Sequence, residues 1–253
     1  MKAVFVGPSC PDASTLGLDP AISLLPPAAQ GDLAQVFLEG ANVIGLIDGT
    51  FEANAAVWHK EILFALAGGA KVFGASSMGA LRAAECHRFG MIGVGAVYRG
   101  YASGETVDDD AVAIVHAPGE VGFIPLSEPL VNISATLDAW LSAGDIMADE
   151  HLRLTCLARA LFFKERTFQG LLGAAGLTDE RRCALLLLSR TIKVDQKRLD
   201  AVELMRRIEI EDDRRMKPPS DWTFVDTLSF QRLLGVVRAR PRRLPNALQS
   251  AHH

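Results

Sequence analysis

Short runs of aliphatic and β-branched residues alternate with amphipathic segments through the N-terminal half of this chain, a pattern that commits it to successive βα units on a parallel sheet. The first run, residues 3–6, ends in Gly7-Pro8-Ser9, and a proline-containing loop leads to a helix predicted over 32–39. The second, 43–47, ends in Asp48-Gly49, and a helix predicted over 55–67 stops at Gly68-Gly69. The third, 71–74, turns through Ala75-Ser76-Ser77-Met78 into a helix from 79 to about 87, whose alanine, leucine, arginine and glutamate content favours helix. The glycine-rich stretch 89–104 is predicted as loop or irregular structure. The expected class is α/β, a Rossmann-like or flavodoxin-like parallel sheet with a C-terminal helical region.

Beyond residue 133 the composition shifts toward leucine, alanine, arginine and glutamate at helical intervals, which marks 134–240 as a helical region after a 1–133 core. Pro218-Pro219 interrupts it, and 241–253 is expected to be a mobile tail. With 49% apolar and 22% charged residues in 253, the chain has enough hydrophobic material to offset the entropy of ordering. A net charge of -4 gives no global attraction to nucleic acid or to an anionic bilayer, and no apolar run reaches membrane-spanning length. A cytoplasmic protein is expected, with self-association left open. Cys10, Cys86, Cys156 and Cys183 form no C-x-x-C pair, so neither a zinc ribbon nor a dithiol site is indicated, and reduced thiols are expected.

In such a sheet the strand C-termini and the N-termini of the following helices share one edge, where ligands bind. Gly7-Pro8-Ser9, Asp48-Gly49, His59-Lys60-Glu61 and Ser76-Ser77 all fall on it. Ser77 is the nucleophile candidate: Ala75 and Gly79 flank it with the spacing of a G-x-S-x-G elbow, alanine replacing the first glycine. The alternative is a serine helix cap. His59 shares a helical face with Ile62, Leu63 and Leu66, so it is expected to point inward, as base or as a core histidine. Lys60 is a second candidate base, or else a solvated charge. Asp48 either supports the base or forms an Asx-turn before Gly49. The Met78 and Gly79 amides are the expected oxyanion donors, aided by the helix dipole.

Among binding candidates, Ser9 and Ser76 belong to the edge clusters, and Arg82 and Glu85 are spaced for an ion pair, with anion binding by Arg82 as the other reading. Glu128 and Asn132 surround Pro129 and offer further polar groups. Asp108-Asp109-Asp110 could ligate a divalent cation, although three consecutive acids point in different directions. No P-loop or complete G-x-G-x-x-G follows a strand, which argues against nucleotide binding.

Eight ordered blocks resemble the TfuA-like protein family: VFVGPS (4–9), PPAAQGD (26–32), IGLIDGTF (44–51), WHKEIL (58–63), FGASSMGALRAAE (73–85), FGMIGVG (89–95), DDDAVA (108–113) and SEPLVN (127–132). The resemblance covers roughly residues 3–132. It implies work alongside a YcaO enzyme in peptide-backbone thioamidation, on ribosomally made peptides or on a modified protein such as methyl-coenzyme M reductase. It also implies handling a ThiS-type carrier whose C-terminal glycine is a thiocarboxylate, with hydrolysis releasing sulfide. A precursor peptide is a further implied partner. No cofactor is expected on this chain, ATP being used by the YcaO partner. The competing expectation is a non-catalytic protein that binds YcaO and improves its engagement of the peptide.

Overall fold

The computed structural model describes residues 1–50 and 55–244. The chain divides into two compact units, residues 1–105 with 199–253, and residues 106–198. These units cut the chain at places other than the sequence-drawn segments, because the C-terminal stretch returns to complete the first unit.

The first unit holds a five-stranded parallel sheet: β1 (Lys2–Phe5), β2 (Ile22–Leu25), β3 (Val43–Leu46), β4 (Lys71–Gly74) and β5 (Ile92–Gly93), in the order β2-β1-β3-β4-β5. This is the flavodoxin-like order, and its direction reverses between β1 and β3. β1 and β3 are buried along their full length, as the near-continuous apolar runs demand of strands covered on both faces. One face packs on α1 (Asp32–Leu38), α2 (His59–Ala67) and α3 (Met78–Cys86) through Leu33, Val36, Ile62, Ala65 and Ala83. The other face is covered by Ala201, Leu204, Met205 and Ile208 of a long C-terminal helix. A Cβ at Gly45 of β3 would lie 2.5 Å from Ile208 Cδ1, so the glycine lets this helix sit directly on the sheet.

Two elements depart from the sequence expectation. β2 lies in what was expected to be a proline-containing loop, and α4 (Gly95–Ser103) occupies the glycine-rich stretch expected to be loop or irregular. Gly95 enters α4 at φ 89°, and the Asp200 carboxylate accepts the Ala96 and Val97 amides at 3.0 and 2.7 Å. A carboxylate at a helix N-terminus meets the orphan donors and the positive end of the dipole. The helix is therefore capped from more than a hundred positions away, which local propensity does not register.

The second unit carries α5 (Leu130–Ala143), α6 (Ala148–Ala160), α7 (Phe168–Ala174) and α8 (Asp179–Thr191), and α9 (Gln196–Ile210) begins in it and ends in the first. Trp140, Leu137, Leu154, Leu171 and Leu172 are buried. Arg166 is fully buried, its guanidinium donating to the Ala158, Asp110 and Leu161 carbonyls and to Asp110 Oδ2.

α10 (Leu228–Arg238) packs on α1. Residues 241–244, assigned from sequence to a mobile tail, are held in place. The Pro241 carbonyl accepts Gln35 Nε2 at 2.7 Å, and Glu39 Oε2 accepts the Arg243 and Leu244 amides. Arg240 and Arg243 both reach Asp32, at 3.0 and 2.9 Å. The remainder of the expected tail lies outside the described residues. No helix among the described residues is long and apolar enough to cross a membrane.

Candidate active site on the sheet edge

The C-terminal edge of the sheet brings together the loops after β1, β3 and β4. Asp48 follows β3 and is buried. Its Oδ2 accepts the Gly7 and Ser9 amides at 2.9 and 3.0 Å, and its Oδ1 accepts Ser9 Oγ at 2.6 Å. The carboxylate therefore ties the β3 loop to the β1 loop at the point where strand order reverses. Charge-assisted bonds of this kind are the strong ones in a low-dielectric interior. Three acceptor bonds leave Asp48 holding the rim together, and they consume Ser9 as well. Neither the expected support of a base nor an Asx-turn to Gly49 describes this contact: the partner is the other loop.

The turn after β4 is organised differently. Gly74 and Gly79 let two pieces of backbone touch: a Cβ on Gly74 would meet the Gly79 carbonyl oxygen at 2.1 Å, and one on Gly79 would meet the Leu46 carbonyl oxygen at 1.7 Å. Between them Ser76 has φ 67°, and the Ser77 amide donates to the Ala75 carbonyl at 2.7 Å, closing a three-residue turn around Ser76. A non-glycine residue held there costs about 1–3 kcal/mol. Ser76 has no solvent exposure, and among the described residues its Oγ has no hydrogen-bond partner. Leaving a buried hydroxyl unpaired costs about 1–3 kcal/mol more. Ser77 is 4% exposed and stands at the N-cap of α3 with φ −124°, but its side chain makes no capping bond.

The oxyanion expectation needs correction. The Gly79 amide donates to the Ile47 carbonyl at 3.1 Å and is committed to holding α3 on β3. Among the described residues the Met78 amide has no acceptor, so it is the donor that α3 can still offer. The Met78 side chain is buried, against the Gly49 side of the β3 loop.

The expected bases are engaged elsewhere. His59 does not point inward: its side chain is 49% exposed, and Nε2 lies 2.7 Å from Glu85 Oε2. Helix geometry puts Glu85, eight residues after Ser77, about 12 Å along α3 from the elbow. Arg82 Nη1 donates to the same Glu85 oxygen at 2.6 Å, and its Nε donates to the Val57 carbonyl at 3.1 Å. Burial pushes the Glu85 carboxyl up, but hydrogen bonds from His59 and Arg82 and the charge of both outweigh it, holding it below the usual carboxylate range. The ion-pair reading of Arg82 and Glu85 is thus the observed one, with His59 as a third member.

Lys60 donates to the Val225 carbonyl and sits 5.0 Å from the centroid of the Phe224 ring. It clamps the segment before α10 onto α2. Among the described residues no hydrogen bond joins Ser77 to Asp48, His59 or Lys60. Glu61, the third member of that cluster, is fully buried, its oxygens accepting the Trp58 and Ala34 amides. Burial raises its carboxyl above the usual range, against the lowering effect of these backbone bonds.

Asn132 and Glu128 belong to the second unit. Asn132 Nδ2 donates to Asp195 Oδ1 at 2.9 Å and its Oδ1 accepts the Lys197 amide at 3.0 Å, so its amide pins the start of α9. Glu128 pairs with Lys193 at 2.7 Å. Asp110 is paired with Arg166, and among the described residues no group of three His, Cys, Asp or Glu side chains could hold a metal ion. Cys10 and Cys86 are buried, and burial pushes the Cys86 thiol up to about 11, which keeps it protonated and unreactive.

The family model described as TfuA-like protein matches residues 48–167. Over that segment the chain is similar to the TfuA-like family. The match opens at Asp48 and takes in the β4–α3 elbow, and it bears out the resemblance carried by the later sequence blocks. The VFVGPS and PPAAQGD blocks lie outside it. No curated protein matches the chain.

The TfuA-like segment also contains the residue that sequence spacing passed over. Aligning the turn on Ala75 and Gly79 centres it on Ser77, whereas the backbone centres it on Ser76. The available signal was Gly74, which stands two residues before Ser76, as the elbow pattern requires, where Ser77 has only Ala75.

Proposed function

We propose that this TfuA-like protein is the partner of a YcaO enzyme in peptide-backbone thioamidation, and that it supplies sulfide by hydrolysing the C-terminal thiocarboxylate of a ThiS-type carrier. The observation that carries the hydrolytic part is the β4–α3 elbow. Two buried serines meet the N-terminus of a nine-residue helix on the ligand-binding edge of a parallel sheet, one in a strained conformation with an unpaired hydroxyl. Such a turn holds a nucleophile ready without reorganisation at the moment of reaction. The helix dipole and the Met78 amide favour negative charge developing on the carbonyl oxygen or sulfur.

The purified chain, mixed with thiocarboxylated carrier, is expected to release sulfide, and Ser77→Ala together with Ser76→Ala is expected to abolish that release. A second reading has its own support. Asp48, His59 and Lys60 each hold a structural partner and none is bonded to Ser77, as suits a protein that binds YcaO and improves its engagement of the peptide without chemistry. Absence of sulfide from the wild-type chain, together with tighter peptide binding by YcaO in its presence, would select this second reading.

A further inference from the structure

We infer that Ser76, rather than Ser77, is the hydroxyl that attacks the thiocarboxylate; this rests on the hydrolase reading above. Ser76 carries both marks of a residue kept for chemistry, a left-handed φ of 67° without being glycine and, in a fully buried position, a hydroxyl with no partner among the described residues. Asn and Asp tolerate that backbone region and glycine takes it freely, so a serine there costs stability that the side chain does not recover through any hydrogen bond. Ser77 shares neither the left-handed φ nor the complete burial: its φ is −124°, it keeps 4% exposure, and its amide closes the turn onto the Ala75 carbonyl. Its part is to hold the turn that presents its neighbour.

Close packing explains why the turn cannot relax. Side chains at Gly74 or Gly79 would overlap backbone oxygen at 2.1 and 1.7 Å, so β4, α3 and the end of β3 are locked around Ser76. The two glycines stand at positions −2 and +3 from it.

The chemistry balances without redox. Ser76 Oγ adds to the thiocarboxylate carbon, the C–S bond breaks, and the hydroxyl proton leaves with sulfur as hydrosulfide. This gives an ester between Ser76 and the carrier's terminal glycine. Water then adds to the ester carbon and the bond to Oγ breaks; one water proton returns to Ser76 Oγ and the other goes to solvent as the carrier regains its carboxylate.

The test uses the full chain, a thiocarboxylated ThiS-type carrier, sulfide release as the rate, and peptide mapping of an acid-quenched reaction for the ester. Ser76→Gly suits the observed φ and will fold, which a thermal midpoint at or above that of the wild type verifies. Its sulfide release is expected to fall by roughly a hundredfold or more. The ester is expected on Ser76 in the wild type, and on Ser76 still in Ser77→Ala. An ester on Ser77, or full sulfide release from folded Ser76→Gly, overturns the inference and leaves the hydrolase reading standing. A wild-type chain that releases no sulfide overturns both.

Discussion

Two turns on the same sheet edge treat their buried polar groups in opposite ways. At the β1–β3 crevice the Asp48 carboxylate receives three hydrogen bonds, and Ser9 is consumed in making two of them. One strand further along, Ser76 is as deeply buried and its hydroxyl has no partner among the described residues, on backbone that its residue type does not favour. The first arrangement minimises free energy locally; the second keeps a cost in place that only the surrounding packing sustains. In a flavodoxin-like sheet the reversal point is the customary ligand crevice, yet here it is tied shut by its own carboxylate, and the unsatisfied group sits beside it. A buried polar residue at a strand end therefore reads as structural when its bonds are complete and as a functional candidate when they are not.

The contrast can be broken most directly at Asp48. Asp48→Ala removes a buried acceptor and strands the Gly7 and Ser9 donors, so urea unfolding is expected to show a loss of about 3–5 kcal/mol. A loss below about 1 kcal/mol would mean that the crevice is not held by that carboxylate. Gly79→Ala forces a methyl group to within 1.7 Å of the Leu46 oxygen and is expected to lose about 3 kcal/mol through displacement of α3, measured the same way. Ser76→Gly runs in the other direction. Relief of backbone strain and removal of the unpaired hydroxyl outweigh the extra chain entropy of glycine, and a gain of about 1 kcal/mol is expected. Loss of stability in that variant would place Ser76 with Asp48 among the structural groups.

The mildest contrast lies on the outer surface between α2 and α3. The Glu85 carboxyl is held below its ordinary value in the fold, so its contribution is present above the unfolded-state pKa and is lost as pH falls through the lower folded value. Glu85→Gln is expected to remove that acid-side loss from the stability-versus-pH curve and to shift neutral-pH stability by roughly 0.5 kcal/mol or less, because the pair with His59 is well exposed. A large effect at neutral pH would show that the His59–Glu85–Arg82 cluster does more than join two helices.

Much of the sheet was legible in sequence because strands covered on both faces need continuous apolar runs. The run at 71–74 is β4 as predicted, the run at 43–47 overruns β3 by one residue, and that at 3–6 is displaced by one residue from β1. α1 and α3 also end within one residue of their predicted limits, whereas α2 starts at His59 rather than 55. β2 was hidden because an edge strand between prolines lacks that signature, and α4 because its cap, Asp200, arrives from far along the chain. At the site, topology correctly gathered Ser9, Asp48, Ser76 and Ser77 on one edge. His59 was misplaced because apolar spacing assigns a side chain to a face but does not see a carboxylate on the neighbouring helix. Lys60 was misplaced for a similar reason, its partner being a carbonyl 165 positions later. The choice between Ser76 and Ser77 needs a backbone angle, which spacing alone does not supply.

The central claim is that strain at the elbow is kept for catalysis, and stability and activity measured side by side on Ser76→Gly test it most directly. A higher unfolding midpoint with sulfide release from the thiocarboxylated carrier nearly abolished is the result this account requires. A variant that is both more stable and fully active would contradict it.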